Sequence, residues 1–237
     1  MKKVNLMDYL DEVTAFSLEH EEPAWMTELR TTALKNADES ELPHIDRVKF
    51  HRWPLLNVHM ESYVPSEGNV ASFDQMKDNP LIVQQGSFHA FEQLPASLAE
   101  QGVIFTDIFT ALQEHPELVK EYYMTKAVLP EEDKLTAAHA AFMNSGVFLY
   151  VPKNVVIEEP IESLFIQDSD SNQPFFKHVL IVADNHSEFS YLERFQSTGH
   201  HAEKASGNIV VEVIAKDGAK VKYSACLLYT SPSPRDA

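Results

Sequence analysis

The apolar positions along the chain change period part-way through. Leu6, Leu10, Val13 and Ser17 fall on one helical stripe with Leu18 beside it, which predicts an amphipathic helix over 5–19. A second helix is predicted from EEPAWMTELRTTALKN, with Pro23 in the first turn, Glu21 and Glu22 where the helix dipole favours anions, and Met26, Leu29 and Ala33 on its apolar face. Residues 38–80 are rich in Pro, Asn, Ser and Asp and read as a long connector with short strands. Short helices follow between about 94 and 125, with Asp107 as an N-cap and Pro116 opening the last of them. In EEDKLTAAHAAFMNSG, Leu135, Ala138 and Phe142 share one helical face and Gly146 is placed as a left-handed C-cap.

From Val147 the period is closer to two, and strands are expected through Ala225. GVFLYVPKNVVIEE, HVLIVADNHSEFSY and NIVVEVIAKDGAKVKY read as three copies of one unit. With Val151, Ala183 and Ala215 in register the offset is 32 residues both times. Val147, Val179 and Val211 then coincide, as do Leu149, Ile181 and Val213, and Ile157, Phe189 and Val221. A polar turn separates the two apolar stretches of each copy: PKN, DNH, KDG. A strand–turn–strand unit recurring without gaps predicts a mainly β fold, a stacked β-solenoid preceded by a helical α/β N-terminal region.

Composition narrows the function classes. An apolar share of 44% and a charged share of 23% suit a globular protein with a sizeable core. The net charge of −17 comes with no Lys/Arg cluster, so nucleic acid and anionic membrane surfaces are excluded as expected partners. The single cysteine, Cys226, rules out an internal disulfide framework. Asp8 and Asp11 interrupt any signal-peptide core, and the apolar runs VFLYV and VLIVA have strand length. A cytoplasmic protein is expected.

No phosphate-cradling or nucleophile-elbow pattern occurs, and the chain has only seven glycines with which to build one. Among eleven histidines none forms an H-E-x-x-H pair. His200 and His201 are adjacent and would point to opposite faces of a strand; His139 reads as a hydrogen-bonded core histidine, and His186 as a polar turn residue. A metal site would have to draw on His178, His186, His200 and His201. Glu158/Glu159 and Asp168/Asp170 are the carboxylate pairs that a β-helix carbohydrate-active enzyme would use, though their contexts read as solvated loop ends. Cys226 has no cationic neighbour to activate it. No residue is therefore assigned a catalytic, cofactor-binding or metal role, and a scaffold or interaction protein is favoured over an enzyme.

Three motifs resemble one family. EPAWMTELRTTAL (22–34) is similar to the E-P-x-W-M-x-x-x-R-x-x-A-L helix of SufB/SufD proteins of the Suf iron–sulfur cluster assembly system. GVIFTDIFTALQEHPELVKEYY (102–123) resembles their G-V-I-x-T-D…E-H-P-E-L-V segment. KLTAAHAAFMNSGVFLYVPKNVVIEEPI (134–161) is similar to their A-L-N-x-A-F…G-x-F-x-Y-V-P-K-x-V…P-I signature, with His139 where asparagine is usual. YLERFQSTG at 191–199 lacks the Gly-Cys of the SufB pattern, so the resemblance is to the SufD side. It implies a right-handed parallel β-helix and a non-catalytic scaffold subunit paired with SufB-like and SufC-like proteins, the latter an ATPase. A transient Fe–S cluster would be the cargo of the whole complex, and some family complexes also bind a reduced flavin; neither can be matched to a residue here. The resemblance runs from about residue 17 to 225. The expected division is 1–145 as N-terminal region, 146–225 as the start of a truncated β-helix domain, and 226–237, CLLYTSPSPRDA, as a non-native tail similar to vector read-through.

Overall fold

The computed structural model describes residues 5–48, 50, 55–56, 58, 60, 79–168, 174–198 and 207–228. A 3₁₀ turn at Leu6–Tyr9 leads into helix α1 (Leu10–Glu19), and α2 spans Ala24–Glu39 after Pro23 as N-cap. Leu6, Val13 and Ser17 are buried as the stripe predicts, but Leu18 is 71% exposed and the neighbouring Phe16 takes the inward position instead. Strands β1 (Leu81–Gln85) and β2 (Phe88–Gln93) form an antiparallel hairpin beyond the connector, most of which lies outside the described residues. Helix α3 (Ala96–Ala99), strand β3 (Ile104–Asp107), α4 (Ile108–Glu114) and α5 (Pro116–Tyr122) follow. The Asp107 carboxylate accepts from the Phe109 and Thr110 amides and Pro116 opens α5, both as expected.

Helix α6 (Lys134–Phe142) starts with a capping box in which Asp133 accepts from the Leu135 and Thr136 amides and Thr136 accepts from the Asp133 amide. Its alanines let it lie close along α2. Gly146 is not its C-cap. The helix ends at Phe142 with Met143 as its C-cap, and Gly146 lies inside strand β4 (Ser145–Val151) opposite His178, where an added Cβ would stand 2.2 Å from the His178 carbonyl oxygen. Glycine is required there by backbone approach rather than by a left-handed turn.

Strands β5 (Ile161–Asp168), β6 (Phe175–Ala183), β7 (Glu188–Thr198), β8 (Gly207–Ala215) and β9 (Lys220–Leu228) complete two sheets, ordered β2-β1-β5-β7-β9 and β3-β4-β6-β8. The internal repeat sets the register of the four-stranded sheet: Val147 pairs with Val179 and Val179 with Val211, Leu149 with Ile181 and Ile181 with Val213, Val151 with Ala183 and Ala183 with Ala215. Phe189 pairs with Val221 in the other sheet. The turns also stack. Asn154, His186 and Gly218 take positive φ of 63°, 59° and 70°, and the amides of Asn154 and His186 each donate to a carbonyl of the next turn, Asn185 and Asp217.

The mainly β solenoid, or right-handed parallel β-helix, is nevertheless not what these residues form. The fold is mixed α/β with two mixed sheets, and among the described residues helix and strand take similar shares, 32% and 35%. Antiparallel β2 and β3 close one end of each sheet, so neither sheet is wholly parallel. Helices α1, α2, α4, α5 and α6 pack on one face of the four-stranded sheet, while Leu98 of α3 packs against the core between the sheets. A repeat in three copies reports which strands are neighbours; it carries no information about non-repeating elements that pack on them.

Alternation along the strands separates three layers. On β6, Phe175, Val179, Ile181 and Ala183 join a core with Val147, Leu149, Phe165, Phe189 and Tyr191 between the two sheets. Phe176, Leu180 and Val182 face the other way, into a core shared with Phe16, Met26, Ala33, Tyr122 and Phe142 of the helices. Both faces of the four-stranded sheet are thus covered, which is why β6 is buried at every position. Among the described residues no helix is long and apolar enough to cross a membrane.

Candidate functional site

Polar side chains enter both buried layers from adjacent positions of β6. Lys177 points between the sheets, and its ammonium meets Glu193 of β7 at 2.5 Å. It lies 3.9 Å from the centroid of the Phe165 ring and 5.7 Å from that of Phe195. The second Glu193 oxygen accepts from the Tyr223 hydroxyl at 2.9 Å. Burial holds the Lys177 ammonium below its ordinary range, with Glu193 pulling the other way.

His178 points to the helices. Its Nδ1 is 3.1 Å from His139 Nε2 on α6, and its Nε2 is 3.1 Å from Glu212 Oε1 on β8. Glu212 also accepts the amides of Met124 and Val128, in the connection between α5 and α6, at 2.7 and 3.1 Å. His139 Nδ1 meets Asn208 Oδ1 at 3.1 Å, and the Tyr123 ring lies over His178 with centroids 4.3 Å apart. Burial pushes the imidazolium form of His139 well below its ordinary range and that of His178 down as well.

Two further networks hold elements together. Arg30 of α2 grips Glu22 with Nε and Nη2, at 2.7 and 2.6 Å, while Nη1 donates to the Ala141 carbonyl of α6. Gln84 of β1 donates to Asp107 Oδ1 and to the Gly146 carbonyl and accepts from Ser145, joining the hairpin to the four-stranded sheet. Burial pushes the Asp107 carboxyl up, against the Thr110 and Phe109 amides that hold it down.

The sequence candidates scatter. His139 is the hydrogen-bonded core histidine expected. His178 is buried in β6, whereas His186 sits in an exposed turn over Gly218, so the two do not converge. His200, His201 and Asp170 lie outside the described residues, as does the side chain of Asp168. Glu158 and Glu159 are exposed between the Val156 bridge and β5. Cys226 is exposed on β9, opposite Arg194. Among the described residues no three His, Cys, Asp or Glu side chains are placed to hold a metal ion. Sequence reasoning missed Lys177, Glu193, Glu212 and the Glu22–Arg30 pair. For the first three a signal existed: each is a charged residue inside an apolar run, in FFKHVLIVA, YLERF and NIVVEVIA. The Glu22–Arg30 pair explains two letters of the E-P-x-W-M-x-x-x-R motif, since it ties α2 to α6.

Comparison with known proteins gives these networks a family setting. A family profile described as the SufBD protein N-terminal region matches residues 3–162. Another, described as SUF system FeS cluster assembly, SufBD core domain, matches residues 165–228. The chain belongs to the SufBD family. It is 40% identical over 221 residues to the iron–sulfur cluster assembly protein SufD of Bacillus subtilis, covering 89% of this chain and 50% of that protein. A SufBD family protein of Staphylococcus epidermidis is 30% identical over 231 residues, 90% of this chain and 49% of that one. One from Mycobacterium tuberculosis is 29% identical over 223 residues, 83% of this chain and 25% of that one. The chain spans about half the length of the first two of these. The His139–His178–Glu212 network straddles the two matched regions, for His139 falls in the first and His178 and Glu212 in the second, whereas Lys177 and Glu193 both lie in the second.

Proposed function

We propose that this chain belongs to a SufD-like, non-catalytic scaffold subunit of an iron–sulfur cluster assembly complex, acting in the cytoplasm with a SufB-like subunit and a SufC-like ATPase. The observation that carries the reading is the 40% identity to a SufD protein across 89% of the chain, supported by the two SufBD profiles in consecutive order. The cluster is cargo in this scheme. A reduced flavin would be a cofactor of the whole complex, and no residue described here is assigned to either. What this part of the subunit contributes is a rigid two-sheet body whose helical layer is locked on by buried ion pairs and hydrogen bonds.

The test is affinity purification of the protein containing this chain from cells expressing its genomic neighbours. Co-elution of an ABC-type ATPase and a second SufBD-family subunit is expected, together with lower activity of iron–sulfur enzymes when the gene is deleted. Recovery of the protein alone, with those enzymes unaffected by the deletion, would overturn the reading.

A further inference from the structure

One buried hydrogen-bond chain has too few protons to be complete. It runs from the Leu135 carbonyl through Asn208, His139 and His178 to the Glu212 carboxylate. Asn208 Nδ2 donates to the Leu135 carbonyl at 3.0 Å, which turns its Oδ1 toward His139 Nδ1. That amide oxygen only accepts, so His139 carries its proton on Nδ1. If His139 is neutral, its Nε2 is a lone pair, and the proton in the contact with His178 must sit on His178 Nδ1. A neutral His178 then turns a lone pair on Nε2 toward Glu212 Oε1, which, when ionised, only accepts. Reversing both tautomers and the amide merely moves the conflict to the Leu135 carbonyl. Four contacts joining two acceptors through three groups that each donate once are always one proton short.

We infer that the folded protein holds one extra proton in the His178–Glu212 contact at neutral pH, as imidazolium and carboxylate or as neutral histidine and carboxylic acid. With that proton the pair has no net charge; without it, a net negative charge is buried where both side chains are fully shielded from solvent. Burial disfavours the imidazolium of His178, an effect Glu212 partly offsets, and a second proton on His139 is opposed by burial and by His178 itself. Among the described residues the other groups facing the cluster are Tyr123, whose phenol is kept neutral by burial; Arg30 of α2, neutralised by Glu22; and uncharged Asn208. Lys177 points to the opposite layer and is paired there with Glu193.

The extra proton makes an alkaline-sensitive clamp. Glu212 joins β8 to β6 and to the connection at Met124 and Val128, so losing the proton sets two acceptors against each other where the helical layer meets the sheet. The sign follows from proton counting. Unfolded, a glutamate near 4.3 and a histidine near 6.5 hold no such proton at pH 7.5, whereas the folded state holds one. Stability therefore falls as pH rises, by up to about tenfold in the folding equilibrium constant per pH unit, until the folded pair itself titrates.

The decisive measurement is NMR of the native chain carrying ¹⁵N-histidine and ¹³C-glutamate, at about pH 7.5, a unit above the unfolded histidine value. Either two ring N–H protons on His178 or a protonated Glu212 carboxyl is expected. A singly protonated His178 beside an ionised Glu212 would overturn the inference. Glu212→Gln adds a second readout, because its amide can donate to His178 Nε2 and complete the chain without the extra proton. The variant is expected to be less stable near neutrality, having lost an acceptor for the Met124 amide, and to lack the alkaline decline. Parallel pH profiles for wild type and variant would count equally against the clamp.

Discussion

Glu193→Gln isolates the ion pair between the sheets. The change keeps the size of the side chain and leaves the Lys177 ammonium fully buried against Phe165 and Phe195 with no counter-charge. Breaking a buried pair by removing one partner typically destabilises by about 3–5 kcal/mol. The structure supplies an independent ceiling, because Lys177 can shed its proton instead. From an unfolded value near 10.4, deprotonation at pH 7.5 costs about 1.4 kcal/mol for each of roughly three pH units, or about 4 kcal/mol. The two estimates agree. The escape route also fixes a pH signature: at Lys177 the folded variant binds one proton fewer than its unfolded chain, so its deficit relative to wild type shrinks with rising pH by about 1.4 kcal/mol per unit until the lysine titrates in the unfolded state near 10.4. Urea denaturation of wild type and Glu193→Gln at several values between about pH 7 and 10 reads both the size and the slope. The double replacement Lys177→Met/Glu193→Leu should recover most of the loss, since apolar substitutes for buried pairs are often neutral or stabilising. A Glu193→Gln deficit below about 1 kcal/mol at pH 7.5, the scale of an exposed pair, would refute the reasoning. So would a deficit that does not change with pH.

Gly146→Ala is expected to destabilise by about 3 kcal/mol or more, at the upper end of overpacking effects, because its Cβ meets rigid backbone at His178; Gly207→Ala, whose Cβ would find among the described residues only the Phe175 carbonyl at 3.8 Å, is the control and should change stability by less than about 0.5 kcal/mol in the same denaturation assay. Asp133→Ala removes both amide acceptors of the α6 capping box and should cost about 1 kcal/mol, with faster amide exchange confined to the first turn of that helix.

Local physics makes much of the chain legible from its sequence. Period, caps and turn chemistry act within a few residues, so α1, α2, α4, α5 and α6 were placed, with the Asp107 N-cap and the Pro116 start. The ungapped repeat carried long-range information of one kind, because side chains stacked in parallel strands must match position by position. It therefore gave the pairing of β4, β6 and β8 and the stacked turns. Other features were decided only by tertiary packing. Leu18 has the right spacing for a buried face yet is exposed, because the neighbour a helix finds determines which edge of its stripe is covered. Gly146 follows a helix as a C-cap would, but its role comes from a strand 32 residues away. The β1–β2 and β3 strands lie outside the repeat, and they and the helical layer turn what reads as a solenoid into a mixed fold. Family motifs located the Glu22–Arg30 helix without its meaning, which requires α6 to be packed alongside. The charged residues at inward positions, Lys177, Glu193 and Glu212, stood out as anomalies in apolar runs. Their partners come from other strands, and the parity of protons in the His139–His178–Glu212 chain exists only once Asn208 and the Leu135 carbonyl are brought to its far end. A sequence can state which residues will be buried; who faces whom, and with how many protons among them, is a property of the assembled layers.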